Sequence, residues 1–292
     1  MHGSTTLPVV LIVGSLHHDI VVTAPGLPQR DETMVGSAWF PKFGGKGGNQ
    51  AVASARAGVP ARMLGAVGAD AFGLALRAGL RAGGVDDQFV TTLTAAGSGM
   101  SVAIMDPAGD YAAVIVSGVN LLIDPAALLQ DGLWQGVTVL VLQNEVSAAL
   151  NLAAAQVAVA RGVLVVLNAA PMRVLDPAFA PLVDVLVVNA VEAEMLGCVP
   201  VTSLDAARLA AAYLAGQFRA VVVTAGGAGL AFASADNVGA IPAQPVTVVS
   251  THGAGDVFTG AFAAALSKGE TVADACRAGS TAAAAHVSGM SA

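Results

Sequence analysis

Short runs of β-branched residues and leucine recur along the chain at Val9–Val13, Val137–Leu142, Val163–Leu167, Val185–Val188 and Val221–Thr224, and each is apolar at consecutive positions. A strand wetted on one side alternates apolar with polar residues, whereas a strand covered by helices on both faces does not. These runs therefore predict parallel strands in a buried sheet. Between them lie Ala/Leu segments of helical length, among them Ser147–Arg161 and Ser203–Gln217, the second with Thr202 or Ser203 placed to cap its amino end. Alternation of this kind predicts an α/β fold: a doubly wound, mainly parallel sheet flanked by helices, whose ligands sit beyond the carboxyl ends of the strands. A length of 292 residues suits one large domain or two unequal ones, and a single domain is expected over 1–292.

Hydrophobic residues make up 55% of the chain and charged residues 11%, which supplies a large core and excludes intrinsic disorder. Aromatics are only 4%, and the apolar content is mostly small and aliphatic, as closely packed helix-on-sheet layers require. Thirteen Lys and Arg against twenty Asp and Glu give a net charge of −7 without a basic cluster. That balance argues against a nucleic-acid or anionic membrane surface. Mean hydropathy is +0.72, yet the longest stretch of low polarity, Val146–Leu167, is broken by Asn151, Gln156, Arg161 and Gly162. It falls short of the roughly 18–20 apolar residues that a spanning helix needs. Met1–Pro8 lacks the basic and apolar regions of a secretory signal, so the expected location is the cytoplasm. Cys198 and Cys276 stand far apart with no His or Cys at metal spacing and read as small core residues.

Two segments depart from the buried-strand pattern. Ile20–Phe43, and Ser98–Val116 with its turn Asp106-Pro-Ala-Gly109, alternate apolar and polar residues around Pro and Gly, which predicts antiparallel hairpins. Joined in one small sheet, over about 17–43 and 98–118, they would form a lid over the ligand crevice. The alternative is that they are edge strands of the main sheet.

Two glycine-rich stretches hold residues suited to chemistry. In Gly44-Gly-Lys-Gly-Gly-Asn-Gln-Ala51 four glycines surround Lys46 and precede an Ala-rich stretch, so backbone can approach a polyhydroxylated or phosphorylated ligand at a helix amino end. The Walker A spacing is absent, and a tight turn is the plain alternative. In Gly253-Ala-Gly-Asp256 the amides of Gly253, Ala254 and Gly255 precede an apolar helix and are placed to cradle an anion. Asp256, in the first turn, is either a favourable helix-end charge or an acceptor for the proton of an attacking hydroxyl.

The two motifs, in this order, resemble the signatures of the ribokinase-like (PfkB) carbohydrate kinases, and within that family the ribokinase branch. The resemblance covers about residues 8–288. It implies ATP-dependent phosphorylation of a sugar hydroxyl, ribose to ribose 5-phosphate being the leading expectation, with Mg²⁺ and with a lid sheet that also forms a homodimer. By resemblance Asp256 is the general base and Gly253, Ala254 and Gly255 the anion hole. Asp19, Gly44, Gly45, Asn49 and Glu145 match contacts of the sugar, with Lys46 in the same loop. Asn189 and Glu192, in Asn189-Ala-Val-Glu192, match an element that influences magnesium and phosphate, Glu192 being the metal-side carboxylate. That pair reads equally as a helix cap. Thr224 and Gly226 match the strand end lining the nucleotide, and Ser280 the wall beside adenine.

The chain departs from the family pattern at several positions. His17 stands where ribokinases usually have Asn, although His17 and His18 are also readable as lid packing. Ser250 replaces an Asp that contacts the sugar and a potassium-binding loop, which puts K⁺ activation and a preference for ribose in question. His252, beside the anion hole, either adds partial positive charge or caps the loop. The sequence ends at Ala292, short of the terminal helix of many relatives, so the outer wall of the nucleotide pocket is expected to be incomplete or supplied differently. These departures motivate a second reading, a kinase of a nucleoside or another sugar. A third reading, an inactive sugar- or nucleotide-binding protein, is opposed by the intact Asp256 and Gly253–Gly255.

Overall fold

The structure is a computed structural model that describes residues 7–106, 111–234 and 237–290. The expectations for the first residues, for positions 107–109 of the turn and for the chain end fall wholly or partly outside the described residues. In chain order the elements are β1 (Val9–Val13), β2 (His17–Thr23), β3 (Ala38–Gly44), α1 (Lys46–Arg56), β4 (Ala61–Gly68), α2 (Ala71–Ala82), β5 (Val85–Leu93), β6 (Met100–Met105), β7 (Tyr111–Val116), β8 (Val137–Gln143), α3 (Ala148–Ala160), β9 (Leu164–Asn168), β10 (Val185–Asn189), α4 (Ala190–Met195), α5 (Leu204–Leu214), β11 (Ala220–Thr224), β12 (Gly229–Ser234), β13 (Asn237–Pro242), α6 (Ala254–Ser267) and α7 (Val272–Val287), with short 3₁₀ turns between.

The main sheet runs β13-β12-β11-β10-β9-β8-β1-β4-β5. It is parallel from β11 to β5 and antiparallel at the β12–β13 edge. The apolar runs occupy its centre. Leu11 and Val13 pack on one face with Leu150 and Ala154 of α3 and Ala207 and Leu214 of α5. Val10 and Ile12 pack on the other with Ala51 of α1, Leu76 of α2 and Phe258 and Phe262 of α6. Consecutive apolar positions are thus used on opposite faces, and the one polar residue inside the runs before their ends, Thr138, is exposed near the start of β8. Ser147 and Ser203 cap α3 and α5 by accepting from the amides of Leu150 and Ala206.

The two alternating segments form a separate four-stranded sheet, β3-β2-β6-β7, rather than edges of the main one. Both β2–β3 and β6–β7 are antiparallel, and the parallel pairing of β2 with β6 joins them. Trp39 on β3 and Val114 on β7 are 68% and 70% exposed. Within the described residues, no helix is long and apolar enough to cross a membrane. Cys198 and Cys276 are free, the second fully buried with its thiol pKa pushed up by that burial.

Candidate active site

The site lies where the carboxyl ends of β1, β8, β9 and β10 meet the amino ends of α1 and α6. Helix α1 begins at Lys46, earlier than a glycine loop would imply, so Gly47 and Gly48 lie inside it. A Cβ on Gly47 would come within 2.6 Å of the Ser15 amide nitrogen and 2.8 Å of its carbonyl oxygen. These glycines therefore serve close packing of α1 on the β1–β2 connection. Gly45, at φ 86, supplies the left-handed backbone that opens the helix. Gly44 lies directly against Asp19, whose Oδ2 would clash with a methyl there.

Asp256 is 7% exposed in the first turn of α6. Asn49 donates from Nδ2 to its Oδ2 at 3.2 Å, and Gln50 from Nε2 to its Oδ1 at 3.0 Å. Burial raises its pKa; Lys46 and the two amide donors oppose that shift and Glu145 reinforces it. Gly253 caps α6 in the left-handed region at φ 84. The Ala254 amide donates to the Thr251 carbonyl at 3.2 Å, so the expected row of three open amides is interrupted in the middle. Among the described residues, the amides of Gly253 and Gly255 have no protein acceptor.

On the opposite side Asp19 Oδ1 accepts from Ser101 Oγ at 2.5 Å, across the β2–β6 pairing. Glu145 Oε2 accepts from Ser15 Oγ at 2.5 Å and from the Lys46 amide at 2.9 Å, which places a carboxylate on the amino end of α1. His17 is 3% exposed, with Nδ1 3.7 Å from Glu145 Oε2 and its Nε2 without a partner among the described residues. His18 faces away and stacks on Phe72 at 4.3 Å. One histidine thus borders the site and the other is packing.

Asn189 and Glu192 form a reciprocal capping box: Asn189 Oδ1 accepts from the Glu192 amide and Glu192 Oε2 from the Asn189 amide, both at 2.8 Å. Burial raises the Glu192 pKa, and Asp256 pushes it the same way; the Asn189 amide and Lys46 counter it. Among the described residues no three His, Cys, Asp or Glu side chains are grouped to hold a metal ion. Thr224 closes β11 beside Asn189 in register, and Gly226 follows it in open space. Ser280 lies within α7, half-buried.

Ser250 is the site residue left apart. It is exposed; its Oγ accepts from the His252 amide at 3.3 Å and its own amide donates to the Val287 carbonyl at 3.3 Å, with no bond to Asp19, Asn49 or Asp256. The His252 pKa is lowered, by desolvation first and then by Lys42 and Lys46, against Asp19 and Asp256. The shift favours the neutral ring, and the His252 carbonyl meets His286 Nε2 at 2.9 Å, so the loop is tied to α7. Sequence reasoning assigned nothing to Gln50, Asn168, Ser15 or Ser101. Gln50 stood inside the quoted motif, and its adjacency to Asn49 was the available signal.

The pfkB family carbohydrate kinase model matches residues 8–292. A ribokinase of Mus musculus is 36% identical over 259 residues, 87% of this chain and 80% of that protein. A ribokinase of Bacillus subtilis is 33% identical over 270 residues, 92% and 89%. The structure of Arabidopsis thaliana ribokinase complexed with ribose and ATP superposes with a TM-score of 0.88 at 27% identity, covering 97% of this chain and 93% of that one. The chain belongs to the pfkB family of carbohydrate kinases, and it is a carbohydrate kinase.

Proposed function

We propose that the chain transfers the γ-phosphoryl group of ATP to a hydroxyl of ribose, giving ribose 5-phosphate. The observation that carries this reading is the buried Asp256 carboxylate, held by Asn49 and Gln50 beside the open amides of Gly253 and Gly255. The ribokinase relatives point to the acceptor and the nucleotide. The sugar lies between the small sheet and α1, its hydroxyls received by Asp19 and Asn49 and its approach permitted by Gly44 and Gly45. Glu145, fixed by Ser15 and the Lys46 amide, forms the far wall with His17.

The nucleotide lies along Asn189, Thr224, Gly226 and Ser280, with its γ-phosphate at the α6 amino end. Asp256 accepts the proton of the attacking hydroxyl as its oxygen approaches phosphorus in line. The Gly253 and Gly255 amides, with the helix dipole, stabilise charge on the equatorial oxygens. Glu192 has one carboxylate oxygen in the capping box and the other without a hydrogen bond among the described residues. That oxygen is a hard donor of the kind Mg²⁺ takes, so Glu192 would hold the ion there, where it would neutralise phosphate charge.

ADP release with Mg-ATP, measured on ribose beside deoxyribose, ketohexoses, sugar acids and nucleosides, with and without K⁺, tests the reading. Ribose is expected to turn over best, without a K⁺ requirement because Ser250 is no carboxylate. Turnover confined to another acceptor overturns the ribose assignment. That second reading draws on the buried His17 beside Glu145 and on a deoxyribokinase of Salmonella typhimurium 31% identical over 259 residues.

The small sheet also serves as a lid and as the contact between two copies of this chain, since Trp39, Val114, Ile115 and Val116 leave apolar area exposed there. Light scattering is expected to give twice the chain mass, with Trp39→Glu reducing it to one. A monomeric parent at working concentration removes the dimer.

A further inference from the structure

One amide links the Asp256 carboxylate to the main sheet. Gln50, fully buried on α1, donates from Nε2 to Asn168 Oδ1 at 3.1 Å as well as to Asp256 Oδ1 at 3.0 Å. Its partners fix its orientation. Asn168 donates its own Nδ2 to the Val187 carbonyl at 3.3 Å, so Oδ1 is the atom it turns to Gln50. Gln50 then faces two acceptors, and a side-chain amide has two N–H groups, both of which are used. Its Oε1 is buried without a partner among the described residues, as in an amide placed for its donors. A continuous chain of hydrogen bonds thus runs from the β10 backbone through Asn168 at the end of β9 and Gln50 on α1 to the first turn of α6.

We infer that Gln50 is a positioning residue for phosphoryl transfer: its amide fixes the plane of the Asp256 carboxylate and occupies Oδ1, leaving Oδ2, shared with Asn49, as the oxygen turned to the acceptor hydroxyl. The inference rests on the reading of Asp256 as the base. Misplacing a reacting oxygen by about 1 Å costs on the order of a hundredfold in rate, and a first-turn side chain without such a tether is free to rotate about two torsions.

Gln50 also acts on the charge state. The charged or titratable groups facing Asp256 are Lys46 from α1, Glu145 after β8, Glu192 from α4 and His252 before α6. Lys46 favours the carboxylate and the two glutamates disfavour it, while burial raises the pKa above the ordinary range. Gln50 and Asn49 donate to the ionised form and hold the rise in check. A base must be ionised to work, so removing the Gln50 donor moves the acid limb of the rate profile to higher pH.

The test is steady-state kinetics between about pH 5 and 9 on Gln50→Met, Gln50→Glu and Asp256→Asn beside the parent, with Mg-ATP and ribose or whichever sugar of the panel turns over. Gln50→Met keeps the volume and loses the donor. Gln50→Glu keeps the shape and replaces a donor with an acceptor, and it carries the test if thermal unfolding shows the methionine variant misfolded. Both are expected to lose about ten- to hundredfold in kcat with the KM for ATP within about twofold. The acid limb of kcat/KM should move up by about one pH unit in Gln50→Met and further in Gln50→Glu. An acid limb that stays in place, or a kcat within about threefold of the parent, overturns the inference while an inert Asp256→Asn keeps the base assignment. A fully active Asp256→Asn removes the base assignment itself, and the inference with it.

Discussion

Asp256→Asn is expected to yield a folded protein whose turnover is lower by about a thousandfold or more, the scale of losing a positioned general base. The substitution keeps the shape of the side chain and its acceptor for Gln50 but loses the acceptor for Asn49; sugar and nucleotide affinities measured by calorimetry should still change little. Stability should move the other way from activity. A carboxyl whose pKa is raised by folding binds its proton more tightly in the folded state than in the unfolded chain. Stability is therefore lost as pH rises from the ordinary carboxylate range to the raised folded value, and the full penalty is present above it. An amide at this position does not titrate, so the variant should gain unfolding temperature relative to the parent as pH rises toward 7, offset by the lost Asn49 bond. The difference should narrow as the solution is acidified. A folded Asp256→Asn protein with near-parental turnover would show that Asp256 is a helix-end charge and nothing more.

The second large effect belongs to a residue that touches no ligand. Gly260, one helical turn beyond Asp256, is where α6 crosses α1. A Cβ there would collide with the Gln50 carbonyl oxygen and lie 2.5 Å from the Ala53 Cβ and 2.9 Å from the Ser54 nitrogen. Ser54 Oγ clasps the crossing, its one proton shared between the Gly260 carbonyl at 2.9 Å and the Gln50 carbonyl at 3.0 Å. Most of the obstructing atoms are backbone or short side chain, so one helix must shift. Gly260→Ala should cost about 1–3 kcal/mol in denaturant unfolding, and Gly260→Val should abolish folding or leave a protein with under about a hundredth of parental kcat, because α6 carries Asp256 away from Asn49 and Gln50. A Gly260→Val protein with parental stability and kinetics would refute this account of the crossing.

How much of this was legible beforehand depended on whether a residue's role was local. Strands β1 and β8 to β11 announce themselves because burial on both faces keeps their centres apolar, the polar residues standing toward their ends. Strands β4 and β5 were not singled out: Arg62 and Gly65 interrupt the first, and the second alternates in burial as an edge strand does. The glycines of the first motif read as loop because sequence does not distinguish a glycine needed for its φ from one needed for its missing Cβ. Gly45 is the former and Gly47 the latter. Among the site residues, Asp19, Asn49 and Asp256 stand in recognisable motifs. Gln50 and Asn168 acquire meaning only where three elements distant in sequence converge. Asn189 and Glu192 were open to two readings, and their capping box satisfies the structural one while leaving a carboxylate oxygen for the other.

The bonds between α1 and α6 join positions separated by 207 and 206 residues. During synthesis the sugar-side groups of β2 and α1 leave the ribosome early, while the carboxylate they orient is among the last chemistry-bearing residues to emerge. A chain terminated before α6 therefore carries Asp19 and Asn49 but not Asp256, and on the proposed role of Asp256 is expected to be inert toward ATP. On the proposed assignment, the sugar-facing residues and the base are joined only when the first and last parts of the chain pack together.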